Sequence, residues 1–225
     1  MDLMAQVNNY CERNDFGYWA EPINALTNLA FIIAAVIMWP RVRGLGVARL
    51  LVVILFAIGI GSYLFHTHAT GWAGLADTLP ILLFVLVFLW AASRELPAIF
   101  GRNTGRRGLW AWLITPLFIP FAILTVPVFM QVDALGSTAA YMPVPLVLAI
   151  YIAVIPRRAP VFARNLTIGL VLMLASLTLR ALDGPLCDHL PIGTHFGWHL
   201  LNGAMLGWMI ESLRRHMLEA RRAPL

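Results

Sequence analysis

His195 and His199 stand four residues apart in GTHFGWHLLNGAMLGWMIE, a stretch otherwise almost wholly apolar. An imidazole in such a helix must find a polar partner or cost stability. A second pair lies upstream in GSYLFHTHATGWAGLADTLPIL, where Ser62 and His66 are spaced i, i+4 and share a helix face. Asp77 follows eleven residues after His66, across a short Gly-containing loop. Three histidines meeting in an apolar core suit zinc, whose catalytic sites use three protein ligands and leave a fourth position open to water. The ion lowers the pKa of that water to about 7, and a nearby carboxylate can orient it and move protons. Asp77 is the acidic residue placed for that task, and Ser62 could support an oxyanion or hold a ligand histidine. The plainer alternative is a set of satisfied structural histidines, since His-x-x-x-His also arises by chance. The added His66, Ser62 and Asp77 favour the metal. His68 is an alternate ligand by position, though its loop favours a solvated side chain; His189 reads as a loop residue and His216 as a cytoplasmic one.

These residues converge only if the surrounding elements bring them to one level. The chain has 225 residues, 60% hydrophobic and 12% charged, and a soluble domain would carry roughly twice that charge. Seven apolar runs, 22–40, 46–66, 75–93, 108–129, 138–155, 162–182 and 195–213, predict transmembrane helices. The expected fold class is therefore an all-α integral membrane protein, a seven-transmembrane-helix bundle. Its parts are a polar N-terminal segment (1–21), one membrane domain (22–215) and a basic tail (216–225). The formal charge of +5 is carried entirely by arginine. Arg41, Arg43 and Arg49 follow run 1; Arg94, Arg102, Arg106 and Arg107 follow run 3; Arg157, Arg158 and Arg164 follow run 5; Arg214, Arg215, Arg221 and Arg222 follow run 7. The other ends hold Asp2, Glu12, Asp15, Asp133, Asp183 and Asp188, with Arg13 and Arg180 as the only bases. By the positive-inside rule the N-terminus is outside and the C-terminus cytoplasmic. The charge is topology, and no nucleic-acid partner is expected.

Alternating topology then puts the end of run 2, the start of run 3 and the start of run 7 on the outer side, so that Ser62, His66, Asp77, His195 and His199 can meet. The polar start shows no cleavable signal peptide. Pro116, Pro120, Pro127, Pro143 and Pro145 predict kinks, read as ordinary helix irregularity rather than hinges. Cys11 and Cys187 both fall outside, where an oxidising exterior permits a disulfide; two free thiols are the alternative. Arg180 and Asp183 are expected to pair structurally near the outer end of run 6.

Three blocks resemble the alkaline ceramidases, grouped with adiponectin-type receptors in a superfamily of seven-helix membrane hydrolases. They are NNYCERNDFGYWAEPINALTNLAF, GSYLFHTHATGWAGLADTLPIL and HFGWHLLNG, in that order along the chain. The resemblance implies zinc-dependent hydrolysis of the amide of ceramide, or of a related N-acyl lipid, to fatty acid and sphingoid base. It makes His66, His195 and His199 the zinc ligands, Asp77 the acid–base residue and Ser62 the oxyanion support. It also implies calcium in the N-terminal segment, held by Glu12, Asn14 and Glu21 with the Asn9 side chain and the Tyr10 carbonyl. Asn9 departs from the Asp expected there, and the gap between Asn14 and Glu21 is shorter than the family pattern. Two other readings stay open: a seven-helix receptor or lipid-binding protein with structural zinc, and a proton pathway through Asp77 and His66. The lack of lysine points to a bacterial genome, the orientation then puts the site toward the periplasm of an inner membrane, and the resemblance implies a membrane lipid as the substrate.

Overall fold

The computed structural model describes residues 2–99, 107–155 and 159–222, the side chains of 95–99, 107–110 and 222 excepted. Arg102, Arg106, Arg157 and Arg158, and the side chain of Arg107, lie outside that description. Among the described residues the protein is helical, with one isolated β-bridge between Gln6 and Thr70. The α-helices are α1 (Pro22–Thr27), α2 (Leu29–Met38), α3 (Gly46–His68), α4 (Gly71–Ile99), α5 (Arg107–Ile114), α6 (Phe118–Phe129), α7 (Pro143–Val154), α8 (Pro160–Leu186) and α9 (His195–Arg222).

Among the described residues, four helical stretches are long and apolar enough to cross a membrane: Gly46–His68, Gly71–Arg94, Ala111–Phe129 and Pro160–Leu186. A fifth appears if Asp133–Tyr141 and Pro143–Val154, bent by 64° to each other, form one span. Large apolar side chains such as Val36, Val53, Ile123, Leu124 and Val171 face outward, as lipid-facing positions do. Of the five prolines expected to kink helices, Pro116 and Pro143 stand at breaks, while Pro120 and Pro127 lie within α6 and Pro145 within α7. Pro116 sits in a 3₁₀ turn between α5 and α6, and Pro143 opens α7 beyond the 3₁₀ segment Asp133–Tyr141. The expected first and seventh spans miss the length-and-apolarity measure for identifiable reasons. Pro22–Met38 is apolar but short, and α9 is made polar by His195, His199, Asn202 and Glu211, all of them buried.

Helix packing uses small residues at close approaches, as expected where lipid offers no hydrophobic drive. A Cβ on Gly203 would lie 3.0 Å from the Ala30 carbonyl carbon, and one on Gly207 would meet the Ala34 side chain at 3.3 Å. Thus α9 lies tightly on α2, while Phe31, Leu51, Leu55, Ile58, Leu166 and Ile210 fill the core beside it. The N-terminal segment folds over one end of the bundle. Val7 N donates to Ala69 O (2.8 Å), Gly71 N to Ala5 O (3.1 Å) and Trp72 N to Leu3 O (2.9 Å).

A Cys11–Cys187 disulfide pins the segment a second time, joining residues 176 apart in sequence. Such a cross-link restricts the unfolded chain and is worth about 2–5 kcal/mol. Cys187→Ser, or reduction of the wild type, is therefore expected to lower the thermal melting temperature. Unchanged melting under both conditions would assign the bridge no stabilising role.

Candidate metal centre

The end of α3, the start of α4 and the start of α9 meet beneath the N-terminal segment. His66, His195 and His199 are buried there, at most 1% exposed, and offer ring nitrogens that all lie within 4.8 Å of one another. Their outer contacts fix the ring orientations of two of them. Thr27 Oγ1 donates to Ile23 O (2.8 Å), so it must accept from His199 Nδ1, 2.9 Å away. Glu21 Oε2 accepts from His66 Nδ1 at 2.6 Å. In their neutral forms both histidines then turn a lone pair on Nε2 toward the other, the two Nε2 atoms standing 3.1 Å apart. Facing lone pairs repel unless a cation lies between them, and two imidazoles on a tetrahedral zinc stand roughly 3.3 Å apart. A third nitrogen, His195 Nδ1, is buried with no hydrogen-bond partner. The donor set fits a zinc ion.

Local sequence explains how His195 reaches this point. Asp183, on α8, accepts from Thr194 N (2.7 Å) and His195 N (2.9 Å) through one oxygen, capping α9. Its other oxygen accepts from Cys11 N at 3.1 Å. Gly193 precedes this turn with φ +65°, and a Cβ there would lie 2.0 Å from the Asp183 carboxylate. The Tyr10 ring stacks on His195 with centroids 3.8 Å apart.

Asp77 lies in the second turn of α4, half-buried, within hydrogen-bonding reach of Ser62 and close enough to His66 and Arg180 to feel their charges. The expected Arg180–Asp183 pair is absent among the described ion pairs, because Asp183 is committed to backbone N–H groups. Arg180 instead donates to Tyr10 Oη (3.0 Å) and Ser137 Oγ (3.2 Å), and packs against the faces of Tyr10, Tyr141 and Trp198. Burial pushes the Tyr10 phenol up from its ordinary value, leaving a neutral acceptor for the guanidinium.

The spacing of α3 and α4 is set by Gly61, where a Cβ would fall 1.9 Å from Ala76 O and 3.2 Å from Asp77 N. Gly61→Ala is therefore expected to push α4 outward and misplace Asp77 relative to His66. A variant with normal melting and an unmoved α4 would show that this approach does not set the geometry.

The sequence matches the model of the family described as Ceramidase over residues 5–222. The chain belongs to the ceramidase family. No curated protein matches it. Family membership indicates a lipid-directed amide hydrolase at a membrane, and within this ceramidase fold the expected residues are brought together unequally. Ser62, His66, Asp77, His195 and His199 do gather at one end of the bundle. His68 is exposed, against Tyr18 and Trp72, and His216 stacks on Phe162, so neither joins the cluster.

The five residues expected to hold calcium do not fit that ion. Glu12 spends its two oxygens on Ile23 N (2.7 Å) and Asn24 N (2.8 Å), capping α1. Glu21 bonds Arg13, His66 and Asn24. The Tyr10 carbonyl accepts from Arg13 N, while Asn9 and Asn14 are exposed. Burial alone would raise the Glu21 carboxyl, but hydrogen bonds from His66 and Arg13 outweigh it and hold the group below its ordinary value. Thr27, Arg13 and Asp183 were not among the residues expected at the site. Thr27 carried no signal, Arg13 stood out as a base where arginine is scarce, and the spacing of Asp183 pointed to Arg180 instead.

Proposed function

We propose that the protein is a zinc-dependent intramembrane amidase that cleaves ceramide, or a related N-acyl lipid, to fatty acid and sphingoid base. The observation that carries this reading is the buried cluster of His66, His195 and His199, with the Nε2 atoms of His66 and His199 facing each other at 3.1 Å and His195 Nδ1 without a hydrogen-bond partner. His66, His195 and His199 would hold the ion. Zinc bound there would polarise the amide carbonyl and lower the pKa of water.

The rest of the chemistry belongs to the chain's own side chains. Asp77 takes a proton from the attacking water and returns it to the departing amine nitrogen, so that the carbon–nitrogen bond breaks with an amine as leaving group. Ser62 donates to the oxyanion of the tetrahedral intermediate. Arg180 adds positive potential beside Asp77, and Tyr10 and Asp183 keep the His195 ring in place. A narrow apolar cavity of about 50 Å³, lined in part by Phe84, Phe88, Tyr151, Met205 and Met209, lies among the helices that carry Asp77 and His199. Its apolar lining matches the chemistry of an acyl chain, although its volume would take only a short part of one.

The topology proposed with this activity is seven spans, α1–α2 being the first and α9 the last. The polar segment 1–21 lies outside, the membrane domain covers 22–215 and the basic tail 216–225 is cytoplasmic. In support, Arg41 lies 3.9 Å from Glu211, which also pairs with Arg214 and Arg215, so these arginines gather at one end of the bundle. In a bacterial inner membrane the site would then face the periplasm.

The test is fatty-acid release from a panel of N-acyl lipids, ceramides included, by purified protein with its zinc content assayed. Release is expected from at least one lipid. Bound zinc without release from any of them would favour a receptor-like protein with a structural metal.

A further inference from the structure

Arg13 is the one cation that ion-pairs within the buried acidic cluster of the N-terminal segment among the described residues. Its side chain is wholly buried, and each of its three nitrogens has a partner. Nε donates to Glu21 Oε1 (2.5 Å), Nη1 to Asp15 O (3.1 Å) and Nη2 to His66 O (2.9 Å). The second oxygen of Glu21 holds His66 Nδ1 at 2.6 Å. The guanidinium therefore grips His66 twice, directly at its backbone carbonyl and indirectly through Glu21. Glu12 and Glu21, 7% and 2% exposed, lie close enough to repel each other; backbone N–H groups satisfy Glu12, and Arg13 is the arginine that pairs with Glu21.

We propose that Arg13 is the resident cation of this cluster, standing where a divalent ion would otherwise be needed, and that it acts as a positioning residue for His66. The forked guanidinium suits this better than a point charge, because it joins a carboxylate and two carbonyls in one plane. It keeps the Glu21 side chain aimed at Nδ1, so that His66 Nε2 faces His199. The N-terminal segment is in this way tied to the metal centre by a side chain rather than by calcium. The positioning role rests on the reading of His66 as a zinc ligand; the calcium independence does not.

The experiment compares full-length wild type, Arg13→Lys and Arg13→Ala, each with millimolar calcium and with a calcium-selective chelator. The readouts are thermal melting, and zinc affinity by competition with a chromogenic chelator. Wild type is expected to ignore calcium in both. Arg13→Ala should bind zinc about 10–100-fold more weakly, the usual cost of losing a residue that orients a metal ligand. Calcium should restore part of that loss and raise its melting temperature, since the Glu21 carboxylate is left without its guanidinium beside a second buried carboxylate, Glu12. Arg13→Lys should fall between the two and respond less to calcium. Wild type that needs calcium to melt normally would overturn the proposal, and this arm holds even if Arg13→Ala does not fold. Arg13→Ala with unchanged zinc affinity would overturn the positioning role. Wild type that takes up no zinc would instead sink the amidase reading, while the calcium response of melting still decides whether Arg13 is the resident cation.

Discussion

His199→Ala is expected to bring zinc content per chain close to zero and to abolish fatty-acid release, while the helical fold survives. The ring removed is one of three that share the centre, and its Nε2 lies nearest to another ligand atom, His66 Nε2 at 3.1 Å. Two histidines remain in the variant, which is one fewer than catalytic zinc sites use. The fold should persist because the small residues that hold α9 against α2, Gly203 and Gly207, lie one and two turns further along and are untouched. Loss of the side chain also frees the Thr27 hydroxyl, which still bonds to the carbonyls of Ile23 and Asn24 and so leaves no orphaned donor. Metal analysis of purified variant and wild type, with circular dichroism as a check on folding, decides the matter. Zinc retained at wild-type stoichiometry would remove His199 from the ligand set.

What the sequence made legible follows from the range over which each interaction acts. Apolar runs mark helices because burial along a helix is a local property, and the breaks at Pro116 and Pro143 were visible because a missing N–H acts within one turn. The convergence of His66, Asp77, His195 and His199 followed from alternating topology, which needs only the order of the runs. The contacts that orient these groups were not readable in this way. Thr27 meets His199 across 172 residues, and Arg13 meets His66 across 53. A threonine in a helix normally bonds the carbonyl one turn back, as Thr27 also does, so its second contact leaves no trace in the pattern.

Arg180 and Asp183 show the opposite failure. Three residues apart on one helix, they met the local rule for an ion pair, yet Asp183 accepts from the backbone of Cys11, Thr194 and His195 instead. Three backbone N–H groups that would otherwise be left bare outweigh one side-chain partner. The calcium expectation finds no support for a related reason. Oxygens along the segment look free in the sequence, whereas the folded segment bonds those of Glu12 and Glu21 to a helix start, a buried arginine, His66 and Asn24. A carboxylate can be read as a free ligand only once the backbone groups without another acceptor have been placed.

Asp77→Asn is expected to keep the zinc and lose the turnover, separating the two roles that the site combines. Asn is nearly the same size as Asp and can still receive a hydrogen bond from Ser62, so the packing of α4 on α3 at Gly61 should hold. What it cannot do is accept and return a proton, which in a positioned general base is worth on the order of 100- to 10,000-fold in rate. A decrease of that size in fatty-acid release, with zinc content and melting unchanged, is the result that assigns Asp77 to the chemistry. The pairing with His199→Ala matters here, because inactivity alone would follow from either loss. An Asp77→Asn protein that sheds its zinc would make Asp77 a support of the metal centre instead. One that hydrolyses lipid at the wild-type rate would require the proton to travel through another group, and Tyr10 and Arg180, joined at 3.0 Å beside His195, would be the side chains to vary next.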